Sequence, residues 1–140
     1  MVSALDTNVL SALLLGNEKE SQKAQKLLSQ VAKEGSLLIS PLVYAELRAA
    51  PQGTEETLEL FLKSLRIELH WQLDEVSWRQ AATAYRAYAI RRRKQKGDGG
   101  PKRLLADFMI GAHALEQADR LITFDQGKYR AAFPELKLLP

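Results

Sequence analysis

The sequence predicts an α/β layered domain with a mostly parallel central sheet, and three observations lead there. Short apolar, β-compatible segments (VSALD, SLLIS, RIELHW, RLITF and LKLLP) are bounded by polar or turn-forming residues. Between them, apolar residues recur at helical spacing, and strands alternating with helices imply a layered sheet. The composition, 46% hydrophobic and 26% charged over 140 residues, suits one folded domain with a real core.

The elements follow in order. VSALD ends at Asp6, Thr7 and Asn8, and VLSALLL then reads as a short helix that stops near Gly16 and Asn17. From Glu18 to Glu34 the residues Ala24, Leu27, Leu28 and Val31 mark one helical face, with Gly35 as the stop. SLLIS (Ser36 to Ser40) is the second strand, and Pro41 suits the first turn of the helix LVYAELRAA, which ends before Pro51. Thr54, followed by Glu55 and Glu56, opens a helix carrying Leu58, Phe61, Leu62 and Leu65. RIELHW is the third strand. Asp74 caps a long helix through Trp78, Ala81, Ala82, Tyr85 and Tyr88 into a basic run. KGDGGP is a loop, in which Asp98 reads as a turn residue. A helix from about Lys102 to Gln117, the strand RLITF and the short strand LKLLP complete the chain.

Composition also excludes several classes. The absence of cysteine removes disulfides, thiolate catalysis and Cys-based zinc sites. No apolar run approaches the roughly 20 residues of a membrane span, and no secretory signal is evident, so a cytoplasmic, non-membrane protein is expected. No HExxH, Walker A, GxGxxG or GxSxG motif occurs. His113, on a helix, reads as a surface or core histidine, and Trp71, Trp78, Tyr85 and Tyr88 as core or dimer packing. The net charge is only +3, yet seven basic residues face one acidic residue between Arg91 and Arg103. Such a block suits a polyanion, or equally a solvated helix end favoured by the dipole.

Four acidic residues lie among apolar neighbours. Asp6 follows Ala4 and Leu5, Glu46 lies within LVYAELRAA, Asp107 is flanked by Leu105, Ala106, Phe108 and Met109, and Asp125 follows Ile122, Thr123 and Phe124. Unpaired carboxylates resist such surroundings, because losing water costs several kcal/mol or raises the pKa. A shared divalent cation removes the conflict. Mg²⁺ or Mn²⁺ takes oxygen ligands alongside phosphate oxygens and supports in-line phosphodiester displacement. Asn8 and Thr123 are suited to orient the ligands or their waters. Ligands of open parallel sheets bind beyond the carboxyl ends of the strands, where Asp6 and Asp125 are expected. Each residue also has a plainer reading. Asp6 or Thr7 caps a helix, Glu46 pairs with Arg48 or a distant base, and Asp125 caps a turn. Asp107 lies off the stripe Leu104, Leu105, Phe108, Met109, Ala112 and Leu115, beside Gly111 and Ala114, and so faces water.

Taken in order, LDTNVL, the helical YAEL, LLADFMIGAHAL, and LITFD leading into YRAAFPELKLL resemble the PIN-domain family, specifically the VapC toxins of bacterial and archaeal toxin–antitoxin pairs. The resemblance spans nearly the whole chain. It implies a three-layer α/β/α fold, one domain over residues 1–140, and a metal-dependent endoribonuclease. It places the catalytic, metal-binding carboxylates at Asp6, Glu46, Asp107 and Asp125, with Asn8 and Thr123 supporting them. Mg²⁺ or Mn²⁺ is the implied cofactor, and the implied partners are RNA, a cognate antitoxin and a second copy in a homodimer. Arg91, Arg92, Arg93, Lys94 and Lys96 would hold RNA phosphates. The glycine-rich KQKGDGGPKR is longer than the link common among relatives. Two competitors remain: a non-catalytic RNA-binding or assembly module, which predicts broken carboxylates where all four are intact, and a phosphotransfer domain, which predicts a catalytic Lys or Arg on a later strand end, where none is read.

Overall fold

The computed structural model describes residues 1–95 and 102–140; Lys96 and the loop with Asp98 lie outside them. Five short strands form one sheet, β1 (Ser3–Leu5), β2 (Leu37–Ile39), β3 (Ile67–Leu69), β4 (Arg120–Ile122) and β5 (Leu138–Leu139). Their order is β3-β2-β1-β4-β5 and every pairing is parallel, so the expected mostly parallel sheet is wholly parallel. Flanking helices complete the α/β/α layers: α1 (Thr7–Leu15), α2 (Glu18–Ala32), α3 (Pro41–Arg48), α4 (Glu55–Ser64), α5 (Glu75–Lys94), α6 (Leu105–Gln117) and α7 (Gly127–Arg130). Among the described residues no helix is long and apolar enough to cross a membrane.

Helix starts are written locally. The side chains of Asn17, Ser40, Thr54 and Asp74 accept from Glu20, Val43, Thr57 and Ser77 N–H groups. Each such cap is worth about 1 kcal/mol. Strand residues Leu5, Ile39, Leu121 and Ile122 are fully buried against Val9, Leu10, Val31, Val43 and Leu47 from the helices. At the amino edge of the sheet the buried Arg120 is compensated: Nη2 lies 2.5 Å from Glu34 Oε2 and Nε donates to Ser3 Oγ at 2.8 Å. The carboxyl edge, described below, is left with excess negative charge.

Three expectations need correction. Leu104 and Leu105, read as part of the apolar stripe of α6, are 57% and 48% exposed, whereas every residue from Asp107 to Ala114 is buried. The helix packs on α5, α7, β1 and β4 together, so its small Gly111–Ala114 side is covered as well, and Asp107 does not face water. Trp71, Trp78 and Tyr85 are exposed, so the core half of their reading fails and of the four aromatic residues only Tyr88 joins the core. The turn read after Asp125 is the helix α7, whose four residues are too few to show a helical period in the sequence, and Gln126 rather than Asp125 takes its cap position.

His113 is a core residue, 1% exposed, whose Nε2 lies 2.9 Å from Nδ1 of His70, just beyond β3. The contact accommodates one proton. Burial, and then the charge of His70, holds the His113 pKa down to about 4, against the pull of Asp74; Glu68 also faces His70 at 3.6 Å. A depressed folded-state pKa means that the unfolded chain binds the proton first, so stability is full above pH ~6.5 and falls as pH drops towards 4. On the order of 2 kcal/mol should be lost across that window, after allowance for solvent screening. Thermal denaturation at stepped pH should record the loss, and His113→Asn should flatten it; an equally steep profile in the variant would exclude His113 as the cause.

Candidate active site

Strand order reverses between β1 and β4, the place where a parallel sheet opens a ligand crevice at its carboxyl edge. Leu5 pairs with Ile122, so the next residues, Asp6 and Thr123, meet across that crevice. Asp6 is 3% exposed and its carboxylate is held from four directions. Oδ1 accepts from Thr7 N at 2.8 Å and caps α1. Oδ2 accepts from the hydroxyls of Thr123 and Tyr129, both at 2.8 Å, and from Asn8 Nδ2 at 3.3 Å. The capping and site readings of Asp6 are therefore compatible: one oxygen caps while the whole carboxylate stays fixed. Burial raises its pKa, and the donors from Thr123, Tyr129 and Thr7 oppose that rise.

Glu46 reaches the same crevice from α3. As a residue it is exposed, which corrects the expectation from its apolar sequence neighbours, but its carboxylate is tethered by Thr7 Oγ1 at 2.6 Å. Arg48, its suggested partner, instead donates to the Gly53 carbonyl. Partial burial raises the Glu46 pKa, Thr7 opposes this, and the charges of Asp6 and Asp107 raise it further. Asp107 comes from α6, 8% exposed. Its Oδ2 accepts from Leu104 N at 3.0 Å, and its Oδ1 lies 3.7 Å from Lys128 Nζ. Asp6, Glu46 and Asp107 thus share one electrostatic neighbourhood, and all three charges raise the pKa of Tyr129 after burial has done so first.

Asp125 differs. It is exposed, against the expectation that its surroundings were apolar, and Gln126 takes the cap position of α7. Among the described residues no hydrogen bond or ion pair joins it to the other three carboxylates; its own N–H donates to Thr123 Oγ1 at 3.0 Å. Asn8 and Thr123 form a small frame between these groups. Asn8 Oδ1 accepts from Phe124 N and its Nδ2 approaches Thr123 Oγ1. Arg91, Arg92, Arg93 and Lys94 make up the last turn of α5, where the dipole favours cations.

Two residues at the crevice carry no signal of their own in the sequence. Tyr129 is fully buried with its hydroxyl on Asp6, and a buried tyrosine hydroxyl usually finds such a partner. Lys128 is the cation beside Asp107 and lies beyond β4, the place where a phosphotransfer reading looks for one. Among the described residues no three acidic or histidine side chains form a ready-made metal cage. The fit to a hard divalent cation is one of donor chemistry and charge: the ligands on offer are carboxylate oxygens whose charges oppose one another.

A family model described as the PIN domain matches residues 4–134. No curated protein matches the chain. Solved structures that resemble it include VapBC2 from Rickettsia felis bound to a promoter DNA fragment, 23% identical over 99% of this chain and 97% of that one, with a TM-score of 0.67. VapBC-1 from nontypeable Haemophilus influenzae is 20% identical over 99% and 96%, with a TM-score of 0.67. FitAcB from Neisseria gonorrhoeae is 25% identical over 100% and 97%, with a TM-score of 0.59.

Proposed function

The chain belongs to the PIN-domain family, and on that premise we propose that it is a single-domain, metal-dependent endoribonuclease of the VapC type. In this reading it is the toxin of a toxin–antitoxin pair, cleaves RNA phosphodiester bonds in the cytoplasm, acts as a homodimer and is silenced by a cognate antitoxin. The observation that carries the reading is the gathering of Asp6, Glu46 and Asp107 at the reversal of strand order, with charges that oppose one another. The full-length likeness to chains of VapBC and FitAcB supports the toxin assignment.

Asp6, Glu46, Asp107 and Asp125 are assigned as the residues that hold Mg²⁺ or Mn²⁺. When bound, the ion supplies an activated water and stabilises charge on the reacting phosphate. The protein's own contribution is rigidity. Asp6 keeps one orientation through Thr7, Asn8, Thr123 and Tyr129, and Glu46 is aimed by Thr7. The basic end of α5, with Lys96 beyond it, draws the RNA backbone towards the crevice. Lys128 gives the phosphotransfer alternative its one favourable observation, but Asp6 is a poor covalent nucleophile because both its oxygens already accept hydrogen bonds. A non-catalytic module is disfavoured by four intact carboxylates.

The primary test is cutting of a mixed RNA pool with Mg²⁺, Mn²⁺ or EDTA. Cutting only with metal is expected, and cutting that survives EDTA would sink the metal assignment. Tyr129→Phe removes one donor from Asp6 without changing shape. It should lower cleavage and Mn²⁺ affinity by about 10- to 100-fold, the usual loss when a group that orients a ligand is removed. Stability should fall by only about 1 kcal/mol. Unchanged Mn²⁺ affinity would reduce Tyr129 to a packing residue.

A further inference from the structure

Next to the carboxylates, the last turn of α5, Arg103 and α7 enclose a cavity of about 170 Å³. Among the described residues, four cations, Arg91, Arg92, Arg103 and Lys128, line it together with Tyr88 and Phe108, and no acidic residue does. Arg103 is fixed across it: its N–H donates to Tyr88 Oη at 2.7 Å and its Nη2 to the Gly127 carbonyl at 3.3 Å. Among the described residues neither Arg91 nor Arg103 is ion-paired with a carboxylate. Lys128 runs along the cavity wall and ends 3.7 Å from Asp107 Oδ1, so it joins the cavity to the carboxylate crevice.

Like charges around a small cavity repel one another, and an anion seated among them relieves that repulsion. A phosphodiester suits the shape, since guanidinium forks take its two oxygens while an ammonium on a flexible stem adds a point charge. We propose that Arg91, Arg103 and Lys128 form a phosphate subsite that grips the RNA phosphate adjoining the one cut at the carboxylates. The subsite rests on the ribonuclease reading and extends it to residues beyond the helix end. Lys128 and Arg103 set the strand's path, and Lys128 is a positioning residue that hands the backbone from the cavity to the crevice.

The experiment is the salt dependence of kcat/KM for cleavage of a single-stranded RNA oligonucleotide at fixed Mg²⁺. It compares wild type with Lys128→Gln, Arg91→Gln and Lys26→Gln, the last an exposed cation on α2. Matching circular dichroism and melting curves verify the fold of these surface variants. Each subsite variant should lose about fivefold in kcat/KM near 0.1 M salt, through KM, and flatten the log–log salt slope by about 0.7. Lys26→Gln should change neither. Wild-type KM and slope in Lys128→Gln and Arg91→Gln, or an equal loss in Lys26→Gln, would overturn the subsite and leave the nuclease standing. A wild-type protein that cuts no RNA with Mg²⁺ or Mn²⁺ would overturn both.

Discussion

Asp6→Asn is expected to reduce RNA cleavage on the order of 10³-fold, equivalent to about 4 kcal/mol in the barrier, while the protein stays folded. The substitution removes the charge and keeps the shape. The amide oxygen can still accept from Thr7 N, so α1 keeps its cap. The hydroxyls of Thr123 and Tyr129 can rotate to accept from the new amide, although Asn8 Nδ2 then faces another donor. Burial disfavours the charged form of Asp6, so neutralisation also removes a desolvation cost. These effects partly cancel, and stability should change by no more than about 1–2 kcal/mol. Cleavage assays paired with thermal denaturation separate the two outcomes. A folded Asp6→Asn protein cutting at the wild-type rate would remove Asp6 from the catalytic site.

The second large effect is expected at Gly111, one turn along α6 from Asp107. A Cβ at this position would stand 2.4 and 2.6 Å from Phe133 Cε2 and Cδ2, and 3.1 Å from Tyr129 Cδ1. Both rings are buried, 4% and 0% exposed, so neither has solvent to move into. Alanine in a helix interior normally gains about 1 kcal/mol over glycine. Here overpacking, typically 1–3 kcal/mol, outweighs it. Gly111→Val, bulkier and β-branched, should therefore cost about 3 kcal/mol in chemical denaturation. It should also shift Tyr129 away from Asp6, so activity should fall even where the variant is fully folded. A Gly111→Val protein as stable as wild type would mean that Phe133 has a second, equally good position.

The sequence determined most of the fold because its signals are local. Helix caps at Asn17, Ser40, Thr54 and Asp74, and the alternation of short apolar runs with helical periods, depend only on neighbouring residues. Asp6 and Asp125 were legible at one edge because each follows the carboxyl end of a strand and β1 and β4 pair in parallel. Sequence neighbours misled where burial comes from distant elements. Glu46 and Asp125 have apolar neighbours in the chain yet are exposed, while the plainer reading of Asp107, facing water, fails because α6 is covered on every side from Asp107 to Ala114.

What only the tertiary structure decided are relations across long separations. The Tyr129 hydroxyl meets Asp6 across 123 residues of chain, and the Thr7–Glu46 bond closes 39. Lys128 stands beside Asp107 because α7 folds back against α6. A hydrogen bond or a repulsion between carboxylates depends on a few ångströms in space, and local pattern constrains that distance only through the packing of the entire sheet and its helices.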